Sequence, residues 1–204
     1  MIPRRKFLLS VLSIPAGSVL LRGQAKEGGF KPLAPGAYPS KQVIGKVTFA
    51  AVKYESDEET RAPFGKVNPN EYGILPVLFL IRNEGLETLM LGGMEVYLQG
   101  PDRSRIEPTP ARDLAFLRPV KRPNTGPGIP VPIPLPKKKN PLASLDFETR
   151  AFAARTLLRG ETAHGFFYFQ ARYRRDSILY INGIREGNHE LFFAEIPLDA
   201  PPAP

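Results

Sequence analysis

The segment that most limits how this chain can fold is Ile74-Leu75-Pro76-Val77-Leu78-Phe79-Leu80-Ile81. It is almost continuously apolar and is closed by the turn residues Asn83-Glu84-Gly85. Such a run reads as the central strand of a sheet, and strand-like segments surround it at short intervals. Residues 43–54 are rich in Val, Ile, Phe and Tyr, and a polar loop follows over 55–71. Met94, Val96 and Leu98 alternate with Glu95, Tyr97 and Gln99, the pattern of a half-buried strand. Gly100-Pro101-Asp102 then turns the chain into residues 103–107. Further on, Arg159-Gly160-Glu161 precedes 165–169, and residues 177–182 with 190–197 read as a hairpin around Glu186-Gly187-Asn188. About seven short strands between turn signals indicate an all-β, antiparallel sandwich over 43–198.

Prolines mark what is not sheet. Seven lie between 119 and 136, several alternating in Ile129-Pro130-Val131-Pro132-Ile133-Pro134-Leu135-Pro136. Each lacks the backbone donor a central strand needs, so residues 119–139 read as a polyproline II arm. Helical signals flank it. Thr109-Pro110 starts a short turn through Leu117. Asn140-Pro141 starts a helix reaching about Ala154, with Leu142, Leu145, Thr149, Phe152 and Ala153 near one face. The sandwich therefore carries a proline-rich, partly helical insert over 109–155. Residues 26–42 read as an extended lead-in and 199–204 as a flexible tail. The length suits one domain, and no internal repeat is visible.

The first 25 residues carry an address. Arg4, Arg5 and Lys6 are basic, residues 7–21 are mostly apolar, and Gly23-Gln24-Ala25 offers the small residues a signal peptidase accepts. Arg4-Arg5-Lys6-Phe7-Leu8 resembles a twin-arginine signal, with Pro3 where Ser or Thr is usual and Leu9 in place of a final Lys. The resemblance implies export to the periplasm or beyond the cell by twin-arginine translocation, with the general secretory route as the alternative. An apolar stretch broken by Pro and Gly falls short of the roughly 20 residues that span a bilayer. Membrane contact is then expected only transiently or through an uncleaved signal. The chain has no cysteine, which excludes disulfides, a lipid-modified cysteine and thiolate metal sites.

The formal charge of +8 suggests a polyanion binder until it is divided by region. Residues 1–25 hold four basic groups and no acid, and residues 117–140 hold six and no acid. The remainder is near neutral, with 18 basic residues against 20 acidic ones. A nucleic-acid footprint needs basic groups spread over a folded face, so no nucleic-acid partner is expected.

Two motifs carry a second resemblance, covering residues 45–198. They are Val77-Leu78-Phe79-Leu80-Ile81-Arg82-Asn83-Glu84-Gly85, a strand closing in an Asn-x-Gly turn, and Leu157-Leu158-Arg159-Gly160-Glu161 before Gly165-Phe166-Phe167-Tyr168-Phe169. In these the chain is similar to small exported immunoglobulin-like domains of bacteria, mostly uncharacterised. The resemblance implies an immunoglobulin-like sandwich in an exported setting, and it implies no catalytic residue. The Cys…Trp…Cys pattern of antibody domains is missing, and the proline-rich insert departs from the simple members.

Candidate chemistry is thin. His164 and His189 are the only histidines, both beside expected turns; with Glu161 or Glu190 they would reach a metal site's ligand count, but without metal-ligand spacing. Asp57-Glu58-Glu59 reads as a solvated loop, and Asp146 and Glu148 point to different sides of a helix. Ser104 and Ser144 lack a nucleophile-elbow setting, and Gly92-Gly93 stands alone. No catalytic, metal or cofactor residue is assigned, and the chain is expected not to be an enzyme. Alternate residues of Phe166-Phe167-Tyr168-Phe169 face opposite ways, so both faces of that strand are aromatic. Either the insert's helix covers the second face through Leu145 and Phe152, or an apolar patch is left for a partner, a glycan or a peptide. The second alternative makes Phe167 and Phe169 candidate partner-binding residues. Lys137, Lys138 and Lys139 are candidates for touching anionic lipid or wall polymer, and Arg172, Arg174 and Arg175 form a second basic turn. The expectation is an exported, non-catalytic binding or assembly module whose partner is an unidentified protein or envelope component. Alternatives are an envelope- or polyanion-contacting protein using the basic arm, and a hydrolase with an unrecognised site.

Overall fold

The computed structural model describes residues 30–117, 140–187, 189–190 and 193–199. The expected export signal, the expected arm 119–139 with Lys137, Lys138 and Lys139, and the residues beyond Asp199 lie outside them. In chain order, β1 (Lys41–Ile44) and β2 (Val47–Lys53) turn at Gly45, whose φ is +59°. Next come α1 (Asp57–Phe64), β3 (Leu75–Asn83), β4 (Leu89–Met90), β5 (Glu95–Gln99), β6 (Arg105–Ile106) and β7 (Pro108–Thr109). After the insert follow α2 (Leu145–Arg150), β8 (Thr156–Leu157), β9 (Thr162–Phe169) and β10 (Ile178–Asn182). The chain closes with β11 (Arg185–Glu186), β12 (His189–Glu190) and β13 (Ala194–Pro197). The class is all-β. One sheet runs β1-β2-β3-β9-β7, a second β13-β10-β5-β6, and a small third β12-β11-β4-β8. Every strand pairing within them is antiparallel.

The apolar character of β3 has a direct cause: its sheet is covered on both faces. Leu75, Val77, Phe79 and Ile81 meet Val96, Leu98, Leu179, Ile181 and Ile196 of the second sheet in one core. Leu78 and Leu80 point the other way, into a second core with Phe64, Leu114, Leu142 and Phe147. Strands buried on both sides lose the polar alternation of a half-exposed sheet. At one edge Glu107 alone separates β6 in the second sheet from β7 in the first. At the other, the Glu195 N–H donates to Gln42 Oε1 at 2.7 Å, tying β13 to β1. Covered edges of this kind suppress pairing with foreign strands.

Four sequence expectations change. Residues 55–71 are not simply a loop: Ser56 and Glu59 form a capping box, with Ser56 Oγ accepting from the Glu59 N–H at 3.2 Å and Glu59 Oε2 accepting from the Ser56 N–H at 2.9 Å. The acidic run Asp57-Glu58-Glu59 occupies the first turn of α1, where the helix dipole favours negative charge. The lead-in is packed rather than merely extended, because it forms a 3-10 turn at Pro35–Ala37 and sets Phe30 and Tyr38 against the second core. The helix expected to reach Ala154 ends at Arg150, since Ala151 pairs in parallel with Phe166 and the Phe152 N–H donates to Phe166 O at 3.1 Å. Asp199 is anchored, accepting from Lys53 Nζ at 3.0 Å and the Asp176 N–H at 2.7 Å. Among the described residues, no helix is long and apolar enough to cross a membrane.

Candidate binding face on the second sheet

The aromatic strand is not an open platform. Phe169 is fully buried in the core between the sheets, and Phe167 is half-buried there against Phe79 and Phe152, at ring centroid distances of 5.8 and 5.5 Å. Phe169 is therefore withdrawn as a partner-binding residue, and Phe167 presents no free ring. On the other face, Phe166 and Tyr168 are covered by Phe64 and Phe147, and the Tyr168 hydroxyl donates to Phe147 O at 2.9 Å. Burial pushes that hydroxyl's pKa well up. The insert does provide the cover, but through Phe147; Leu145 is 70% exposed and Phe152 serves the opposite core.

The other candidates are dispersed. His164 lies within β9 opposite Leu80, not in a turn, and partial burial lowers its pKa. His189 is exposed in β12, on a different sheet. No group of three or more His, Asp or Glu side chains with metal-binding proximity occurs among the described residues. The basic turn is partly neutralised. Arg174 Nη1 contacts Asp102 Oδ2 at 2.6 Å, and the Ser104 hydroxyl together with Arg174 holds the Asp102 carboxyl below the usual range. Nearby, Lys53 Nζ sits 3.3 Å from the centre of the Tyr173 ring and 3.0 Å from Asp199. The Tyr173 hydroxyl, the Asp176 N–H and the Lys53 ammonium hold the Asp199 carboxyl down at about 2.

The feature that sequence reading did not assemble lies on the outer face of the second sheet. Val96 and Leu98 of β5 and Leu179 and Ile181 of β10 point into the core, which turns Tyr97 and Tyr180 outward. Their strands pair in a register that sets the two tyrosines directly opposite each other. The rings stack at 4.4 Å with 19° between planes, and Phe193 continues the row on Tyr180 at 5.5 Å and 13°. Arg105 of β6 closes the far end, its guanidinium 4.6 Å from the centre of the Tyr97 ring. Beside the row is an open depression of about 570 Å³ lined by Glu95, Tyr97, Arg105, Glu107, Tyr180 and Asn182.

The geometry sets what the face offers. Rings stacked between neighbours present edges and hydroxyls rather than flat faces, so sugar stacking is disfavoured. Desolvation raises the Tyr97 pKa against the opposing charge of Arg105, which keeps its hydroxyl protonated at neutral pH. Glu95, Glu107 and Glu195 are exposed, and none forms an ion pair among the described residues. The result is an aromatic ridge with hydrogen-bond donors and an acidic border. The alternation that turns Tyr97 and Tyr180 outward is readable in sequence; the register that stacks them is not. Set against protein-family models, characterised proteins and solved structures, the chain has no match.

Proposed function

We propose that this protein is an exported, non-catalytic binding or assembly module, built as an immunoglobulin-like sandwich, that works through the outer face of its second sheet. The observation carrying this reading is the row Arg105–Tyr97–Tyr180–Phe193, solvent-facing and bordered by carboxylates that form no ion pair among the described residues. Tyrosine and arginine contribute most to protein interfaces because they combine large rigid contact area with polar ends. The two antiparallel layers sharing one core support the sandwich, and the twin-arginine-like start supports export. The near-neutral body and the pairing of Arg174 with Asp102 leave the polyanion reading resting on residues 119–139 and on Arg172 and Arg175 of the basic turn.

Affinity capture from an envelope fraction tests the reading, using the full chain and its Tyr97→Ser/Tyr180→Ser variant. Both side chains face solvent, so the variant is expected to fold. Proteins retained by the parent and lost by the variant are the expected result. Identical retention by both would remove the face from the function.

A further inference from the structure

The binding face has a complement within the chain's own sequence, and this inference rests on the reading above. On the outer side of the second sheet Glu95, Glu107 and Glu195 stand, among the described residues, against the single base Arg105. Residues 118–139 carry six basic groups, no acid and seven prolines. A proline-rich chain is poor in donors and rich in exposed carbonyls, so it suits a surface that supplies donors beside aromatic edges. The Tyr97 and Tyr180 hydroxyls, the Arg105 guanidinium and the Asn182 amide are such donors, and the carboxylates match the lysines and arginines.

We propose that this face receives residues 119–139 of a second copy, giving a symmetric dimer with exchanged arms. The place where the segment begins and ends argues for exchange. Asn140 Nδ2 donates to Ala115 O at 2.8 Å and to Leu117 O at 3.0 Å, so both ends leave from one point. That point belongs to the insert layer, where Leu114, Leu117 and Leu142 pack on the second core. The binding face lies beyond both sheets on the opposite side. Layers packed about 10 Å apart put roughly 20 Å of protein between them, before any detour round an edge. Eleven residues out and eleven back reach about 40 Å at full extension. A chain rounding its own edge would spend most of that length on the way, whereas the arm of a copy lying beside this face has no edge to round. Two copies related by a two-fold axis satisfy both faces at once.

Sedimentation velocity on the purified full chain, at low and high salt, reads this directly. The parent should be a dimer that weakens as salt rises. The face variant Glu95→Lys/Glu107→Lys and the arm variant Lys121→Glu/Arg122→Glu/Lys137→Glu/Lys138→Glu/Lys139→Glu, whose arm becomes acidic overall, should each be monomeric alone. Mixed in equal amounts they should dimerise, because both interfaces of the mixed pair again join opposite charges. All the altered side chains of the face are exposed, and thermal unfolding of each variant verifies that it folds. A monomeric parent, variants that dimerise like the parent, or a mixture that stays monomeric would each overturn the exchange. None of these outcomes bears on capture by Tyr97 and Tyr180, so the binding reading stands or falls separately.

Discussion

Asn83 shows how much one side chain can hold together. It is fully buried, and its amide donates to Glu87 O at 2.8 Å and Leu157 O at 3.2 Å while its carbonyl accepts from the Gly85 N–H at 2.9 Å. Its backbone adds bonds from the Gly160 N–H and to Glu161 O, so one residue joins two turns. Asn83→Ala leaves those groups without partners out of water, and a loss of about 2–3 kcal/mol in urea unfolding is expected. Asn83→Asp should cost more, since a carboxylate would face the carbonyls of Glu87 and Leu157 with nothing to donate. Sequence made the Asn-x-Gly turn legible, because that chemistry is local; the reach to Leu157 is tertiary and left no local mark. Phe167 and Phe169 differ in the same way. Phe169→Ala should cost about 3–5 kcal/mol, as for a filled core position, and Phe167→Ala clearly less, as judged by paired unfolding midpoints.

At the scale of elements, β9 is defined by what crosses it. A Cβ on Gly165 would lie 2.4 Å from Phe152 Cα and 2.5 Å from Phe152 N, and neither atom belongs to a flexible side chain. Gly165→Ala must therefore move the segment that follows α2. A loss of about 1–3 kcal/mol is expected, with faster hydrogen exchange at the Phe152 amide as the specific sign. This crossing also explains why α2 stops early. Asn140-Pro141 and the apolar spacing correctly signalled a helical start, but the bridge from Ala151 to Phe166 captures the chain before a longer helix can form. Helix α1 went unread for the opposite reason. Its capping box is written plainly in Ser56-Asp57-Glu58-Glu59, yet the surrounding polarity and Pro63 hid a helix whose buried residues are Thr60, Pro63 and Phe64. Ser56→Ala should destabilise by about 1 kcal/mol, measured by thermal unfolding.

For the whole molecule, carboxylates fasten the chain at Asp199, the turn at Asp102 and the start of α1, and this shapes how it should respond to acid. Asp199 holds Lys53 of β2 and the Asp176 turn, whose φ of +62° is unusual outside glycine. Glu59 completes the cap of α1, and the Ser56 and Glu55 N–H groups hold its pKa below the usual value although partial burial opposes them. A carboxyl whose folded pKa lies below its unfolded value near 4 stabilises the fold above that pH, and this stability is lost as pH falls toward the folded value. For Asp199 the window runs from about 4 down to about 2. Asp199→Asn should lower stability at pH 6 by about 1 kcal/mol or less, given the solvent around the pair. The gap between variant and parent should narrow through that window as the parent's own carboxyl takes up its proton. Urea midpoints for both proteins between pH 6 and pH 2.5 measure this. A gap that stayed constant with pH would mean that Asp199 contributes through packing rather than charge.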